Sequence, residues 1–442
     1  MAQHRWMIFP MCRYASPPTL GHRSRRSTSQ PTRWRVLALG GVLVVLGACG
    51  GGSSTDTSDS TATAAAVARP LATPSAASTA SPGPLAAVDP SARGQLRDVV
   101  ALGTVTVPEI AASTAQARVP ALAPVYDVDT FRLSYSTVDR QQRPVVASGL
   151  LAVPRKGPGA SSPLISYQHP TIFRDALAPS NNPTATEPAV VMASMGYVVI
   201  AADYLGYGVS KGLPHPYLMA APMAASVVDL LDAGSTHANQ VGLVLNGQLF
   251  LVGYSQGGHA TMAAHRALQA RGDAIAAAVI GSAPGAGPLD VGATLDESLR
   301  RVRQEVPLLA ALVNPDLLQY LGSSLRRRVR DEMLGRLLPE DSDVVFDGRF
   351  IDNFLDNDRA AINRESDVHD WRPERPVRLF HGQDDRTVPF VASAHAWQAM
   401  NARGAPDVQL IACSAVPSNH IDCVQPYWQH MLSQMALVVR NL

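Results

Sequence analysis

Short apolar runs separated by polar and helical stretches set the rhythm of this 442-residue chain. Phe131–Val138 and Pro144–Val153 read as an opening hairpin, with Arg140-Gln141-Gln142-Arg143 near its turn. Continuous apolar runs follow at Pro163–Tyr167, Tyr197–Ala202, Gln248–Val252, Ile275–Gly281, Val377–His381 and Val408–Cys413. Runs this short and this uniformly apolar suit strands buried on both faces of a largely parallel sheet. Between them lie helical patterns at Met219–Ala233, Gly257–Ala270 and Ala392–Ala402, with a closing helix at Gln425–Arg440. Strands alternating with helices predict an α/β layered domain. The alternation breaks between Ala283 and Arg372, where Leu295–Val306, Pro307–Val313 and Leu317–Leu338 are helical in pattern and rich in charge. A connection this long is expected to be functional, and residues 283–372 are read as a cap inserted over the active site. A peripheral decoration is the plainer alternative. No internal repeat is visible.

The first ninety residues differ in kind. Residues 1–48 hold arginines but no acidic residue, and they end in the apolar run Val36–Ala48. A basic region, a short apolar core and small residues at its end describe an export signal, and the core is short for a stable transmembrane helix. Leu46-Gly47-Ala48-Cys49 resembles a bacterial lipobox, which makes Cys49 the expected lipidation site and the first residue of the mature chain. The glycine after Cys49 points to the outer membrane in a two-membraned cell. Residues 49–92 are Ser, Thr, Ala, Gly and Pro with almost no large apolar side chain, a composition that cannot offset its own ordering entropy and reads as a disordered tether. Residues 93–442 are left as the folded domain.

Processing changes the charge as well. The formal charge is +1 for the whole chain, and removing the seven arginines of residues 1–48 leaves −6. No basic stripe remains, so nucleic acid is not an expected partner. Of the four cysteines, Cys12 leaves with the signal and Cys49 is the lipid site. Cys413 and Cys423 remain as an even pair in an exported protein, where disulfides persist. Metal binding is the alternative, but two thiols without a C-x-x-C spacing make a poor zinc site. A bridge between them encloses His420 and would hold it in place.

The candidate chemistry centres on Gly253-Tyr254-Ser255-Gln256-Gly257. An apolar run leads in and a small-residue helical run leads out. A strand ending in G-x-S-x-G and turning sharply into a helix lifts the serine Oγ clear at the carboxyl edge of a sheet. The flanking glycines are needed where a Cβ would clash. Such a serine needs a base, and the base needs an orienting carboxylate. The chain order is then serine, acid, histidine. His420 lies in the loop after Val408–Cys413 and before the closing helix, where the base belongs.

After Val377–His381 comes Gly382-Gln383-Asp384-Asp385-Arg386-Thr387-Val388-Pro389, which resembles the G-x-x-D-x-x-V-P turn of α/β hydrolases. That alignment puts the acid at Asp385, with Asp384 as rival and otherwise a brace for the turn. Gln256, after the nucleophile, supplies one oxyanion N–H. The second is expected from the loop Tyr167-Gln168-His169-Pro170-Thr171, where Pro170 has no N–H to give; Thr171 is the candidate, or His169 if the loop is turned.

Together with Asp203-Tyr204-Leu205-Gly206-Tyr207-Gly208, His215-Pro216-Tyr217 and Gly253 through Ala260, these motifs resemble the secretory-lipase branch of the α/β hydrolases. That branch includes fungal secreted lipases and bacterial lipoprotein relatives. The likeness covers most of residues 125–440. It implies the α/β-hydrolase fold and hydrolysis of acylglycerols or smaller carboxylic esters, without metal or organic cofactor. The chain departs from the branch at Pro170, where relatives often carry glycine. Asp203 is expected to hydrogen-bond loop amides and hold the Gly206–Gly208 turn, His215 and Tyr217 to line the cleft or pack the turn, and His259 and Tyr254 to pack. A serine peptidase of the same fold is the alternative enzyme. A surface lipoprotein that kept the fold for binding is the alternative outside enzymes.

Overall fold

A computed structural model describes residues 93–116, 123–305, 315, 320 and 322–442. The expected signal, Cys49, the tether and Pro307–Val313 lie outside the described residues. The strands are β1 (Leu96–Val105), β2 (Val128–Val138), β3 (Pro144–Pro154), β4 (Ser162–Gln168), β5 (Val198–Ala202), β6 (Leu245–Tyr254), β7 (Val279–Gly285), β8 (Val377–His381) and β9 (Val408–Ala412). They form one nine-stranded sheet in the order β1-β2-β3-β5-β4-β6-β7-β8-β9. Pairing is antiparallel from β1 through β3 to β5 and parallel from β5 across to β9. This is the α/β-hydrolase fold that the strand pattern and the motifs led us to expect.

Burial explains why the central strands read as unbroken apolar runs. Every residue of β5 is buried. Because side chains alternate across a strand, Ile200 and Leu251 point into one core layer and Val199 and Val252 into the other. The first layer is closed by α3 (Ala220–Val241) and α4 (Gln256–Arg271), through residues such as Met223, Val227 and Ala260. The second is closed by α2 (Pro188–Ser194) and α11 (Val424–Ala436), through Val190, Met192, Trp428 and Met431.

Some elements depart from the sequence expectation. β1 and α1 (Val107–Gln116) precede the hairpin and were not expected. β1 is an edge strand with irregular register and charged or exposed positions, so it lacks the apolar signature of its neighbours. Ile275–Gly281 is not one strand. Ala274–Ala278 forms the short helix α5, begun by Asp273 accepting the Ala276 N–H, and β7 starts only at Val279. Alanine favours that first turn, which an apolar count cannot distinguish from a strand. The closing helix ends at Ala436 rather than Arg440.

Between β7 and β8 the described residues include four helices, within the stretch whose sequence is helical in pattern. They are α6 (Val291–Glu305), α7 (Ser323–Leu337), α8 (Arg349–Leu355) and α9 (Arg359–Glu365). After β8 comes α10 (Val391–Ala402). Cys413 and Cys423 are bonded, with Cα atoms 5.9 Å apart, across the loop that leads from β9 into α11.

Two outcomes follow from this packing. A Cβ on Gly257 would meet the Gln168 carbonyl oxygen at 2.0 Å, whereas one on Gly335 in α7 would meet nothing within 4 Å. Gly257→Ala is therefore expected to cost about 3 kcal/mol in denaturant unfolding. Gly335→Ala is expected to be neutral or to gain up to about 1 kcal/mol; equal effects at the two sites would contradict this packing. With Cys12 and Cys49 replaced by serine, denatured protein should show no titratable thiol before reduction and two after it. Two thiols without reductant would rule the bridge out. Closing a loop of this size stabilises by about 2–3 kcal/mol.

Candidate active site

The turn between β6 and α4 is strained at the sheet's carboxyl edge. Ser255 has φ 59° and ψ −123°, a conformation that a non-glycine residue holds only when its surroundings enforce it. They do so from several sides. The Ser255 N–H donates to the Gly285 carbonyl of β7 (2.8 Å), and the Ser255 carbonyl accepts the Gly258 and His259 N–H groups (2.9 and 3.2 Å). The Gly253 N–H donates to the Tyr427 hydroxyl (2.9 Å), which itself donates to the Ala283 carbonyl (2.7 Å). Tyr254 is buried beneath the elbow, as expected, and its hydroxyl donates to the His420 carbonyl (2.7 Å).

The loops after β8 and β9 bring Asp385 and His420 to this serine. His420 Nε2 lies 2.9 Å from Ser255 Oγ, and His420 Nδ1 lies 2.6 Å from Asp385 Oδ2. Asp385 is 1 % exposed. Its Oδ1 accepts the N–H groups of Thr387 and Val388, both at 2.9 Å. Burial alone would push the Asp385 carboxyl up. The charge of His420 and the hydrogen bonds of His381 and His420 outweigh it and hold the group well below the usual carboxylate range. His381 Nε2 stands 3.4 Å from Asp385 Oδ2 and 2.8 Å from the Val388 carbonyl, while its Nδ1 faces Ser393 Oγ at 2.7 Å. This second histidine behind the acid was not singled out in the sequence, although it directly precedes the G-x-x-D turn.

Asp384 points elsewhere. Its Oδ2 accepts both the N–H and the hydroxyl of Ser418, each at 2.9 Å, and these bonds lower its pKa. It thus braces the acid turn against the loop that carries His420. The disulfide, the Tyr254 hydroxyl and the Asp384–Ser418 pair fasten that loop at three points.

The opposite wall is the loop after β4. The backbone at Gln168 and His169 passes directly over Gly257. The Thr171 hydroxyl lies 3.1 Å from the Tyr217 hydroxyl. Gln256 is the first residue of α4, so its N–H has no carbonyl one turn back within the helix. The Gln256 side chain is buried, with Nε2 2.6 Å from His215 Nε2. His215 and Tyr217 are both buried, so they pack the turn. Burial pushes His169 down to about 4 and His215 to about 3, which keeps both rings neutral.

Asp203 is buried at the end of β5 and accepts a loop amide as expected, that of Ser180, but not those of the Gly206–Gly208 turn. Its Oδ2 accepts the hydroxyls of Ser148 and Ser180 (2.6 Å each) and its Oδ1 the Ser180 N–H (2.8 Å). The Gly208 N–H goes to Asp175 Oδ1 instead (2.7 Å). His259 packs in α4 and reaches the Ser366 carbonyl through Nε2 (2.7 Å). Away from Ser255, His420 and Asp385, the side chains of Asp290, Asp367 and His369 come together within 4.8 Å. The two carboxylates cap α6, accepting the Ala293 and Val291 N–H groups at 2.8 Å each.

Described residues of the segment between β7 and β8 touch the site. Arg301 of α6 donates to the Asp385 carbonyl (3.3 Å), and Val345 and Asp347 bond the backbone of His215. Behind that second contact lies a cavity of about 360 Å³, lined by Leu205, Leu213, Pro214, Val345 and Phe346; it holds none of the three triad-like residues.

Comparisons with known proteins agree with this fold. The rice cell wall degrading esterase LipA from Xanthomonas oryzae superposes with a TM-score of 0.55 at 26 % identity, covering 78 % of this chain and 96 % of its own. A hydrolase from Legionella pneumophila gives 0.58 at 23 %, covering 77 % and 97 %. Candida antarctica lipase A in its closed state gives 0.52 at 16 %, covering 79 % and 84 %. No curated protein matches the sequence. The family profile for serine aminopeptidase, S33, matches residues 185–413, just over half of the 442, a span that includes Ser255 and Asp385. On that match and this fold, the chain is a hydrolase of the α/β-hydrolase superfamily and belongs to the S33 serine aminopeptidase family.

Proposed function

We propose that this protein cleaves carboxylic esters through an acyl-serine intermediate, with Ser255 as nucleophile, His420 as base and Asp385 as its orienting acid. The observation that carries the reading is the unbroken line of hydrogen bonds from Ser255 Oγ through His420 to Asp385, at 2.9 and 2.6 Å. In this reading His420 Nε2 takes the Ser255 proton as Oγ attacks the ester carbonyl. Asp385, held ionised, fixes the Nδ1–H tautomer and stabilises the imidazolium. The tetrahedral oxyanion lies against the Gln256 N–H and a second N–H from the loop at 169–171, for which Thr171 is our candidate. Collapse expels the alcohol with the proton from His420, and water attacks the acyl-serine by the same route in reverse. Residues 283–372 act as the cap, a reading supported by their contacts to Asp385 and His215.

Ester rather than peptide substrates are favoured by the resemblance to an esterase over nearly its whole length. The family's own description favours the second reading, an aminopeptidase. Amino-acid p-nitroanilides assayed beside p-nitrophenyl esters separate the two. We further propose that residues 1–48 direct export and that Cys49 is lipidated, so that the tether 49–92 holds the enzyme off a membrane, with the outer membrane as its location. The disulfide is consistent with an exported protein.

The decisive series is hydrolysis of p-nitrophenyl esters from acetate to palmitate. Ser255→Ala should abolish turnover. Asp385→Asn should lower kcat about 10⁴-fold by leaving His420 in the wrong tautomer. Asp384→Asn, which loosens only the Ser418 brace, should stay within about tenfold of wild type. An Asp384 variant worse than the Asp385 variant would reverse the assignment of the acid. A Ser255→Ala protein as active as wild type would sink the mechanism.

A further inference from the structure

His215 joins three parts of the molecule that the ester-hydrolase reading treats separately. It is fully buried. Its Nδ1 lies 2.9 Å from the Leu205 carbonyl, so that nitrogen carries the proton and Nε2 presents a lone pair. The lone pair receives the Gln256 side-chain N–H at 2.6 Å. The other end of that amide, Gln256 Oε1, is buried without a hydrogen-bond partner. The side chain of the residue that offers the first oxyanion N–H is thus held through its bond to His215.

The backbone of His215 is fastened in turn to the cap segment. Its N–H donates to the Val345 carbonyl (2.7 Å), and its carbonyl accepts the Asp347 N–H (2.8 Å), making a parallel bridge with Phe346. The same strap also holds the second oxyanion loop. The Asp343 N–H donates to the Phe173 carbonyl (3.1 Å), and Asp343 Oδ1 accepts the Asp175 N–H (2.7 Å). Thr171 is tied to the same region through Tyr217. Residues 343–347 therefore contact both halves of the oxyanion site, one of them only by way of His215.

We propose that His215 is a positioning residue that sets the oxyanion N–H of Gln256 in register with the cap strap 343–347. It touches no reacting atom and acts through Gln256. This rests on the ester-hydrolase reading, and it predicts an effect on the transition state rather than on substrate binding. Loss of an oxyanion donor typically costs about 10²–10³ in turnover, so loosening one should cost about 10–100-fold.

The test is a double-mutant cycle on the full chain with a p-nitrophenyl ester and phenylboronic acid, a tetrahedral mimic of the intermediate. His215→Leu and Gln256→Met each remove one side of the bond and leave the Gln256 N–H in place. Each should lower kcat about 10–100-fold with KM within about threefold, and the boronate inhibition constant should rise in parallel. The double variant should be no worse than either single one, since both break the same link. His215→Gln, which keeps an acceptor, should recover part of the loss. A folded His215→Leu protein with wild-type kcat overturns the proposal, as do effects that multiply in the double variant. Wild type that hydrolyses no ester overturns the enzyme reading itself, and this inference with it.

Discussion

One close backbone crossing in the site governs much of what surrounds it. α4 leaves the elbow so near the end of β4 that the Gln168 carbonyl oxygen occupies the place of a side chain on Gly257. That proximity fixes three things at once. It holds Ser255 at a positive φ that the residue would not adopt alone. It draws the backbone of Gln168 and His169 against the start of α4. It also leaves Gln256 buried, where its side chain needs a partner and finds His215.

The other side of the site is governed by a buried charge. A carboxylate that is 1 % exposed is costly to keep ionised unless it is fully engaged, and Asp385 is engaged by two backbone N–H groups and two histidines. The fastening of the His420 loop serves the same end. A disulfide, a tyrosine hydroxyl and the Asp384 brace together restrict the imidazole to the narrow space between serine and acid. Catalysis gains from such fixed geometry, because the alignment of the groups need not be found anew at each turnover.

Much of this was legible in the chain. The parallel strands announce themselves because both of their faces are buried, and the elbow does so because its glycines answer a steric demand. Asp385 and His420 follow from their order after the serine, and the structure brings all three together. The edge strand β1 stayed hidden because an exposed strand need not be apolar. The start of β7 was misplaced because Ala274–Ala278 is apolar and helical at once. His381, the His215–Gln256 bond and the Asp175–Gly208 contact depend on which buried polar groups meet across loops far apart in sequence, and no local pattern carries that.

The molecule thus joins a rigid sheet edge, which presents Ser255, to a connection that reaches Asp385 through Arg301 and the loops after β4 and β5 through residues 343–347. This arrangement is proposed to make Ser255 nucleophilic. Reaction of the folded wild-type protein with a fluorophosphonate, followed by peptide mass mapping, tests it most directly. The account predicts a single adduct on Ser255. No adduct, or one on a different serine, would contradict it.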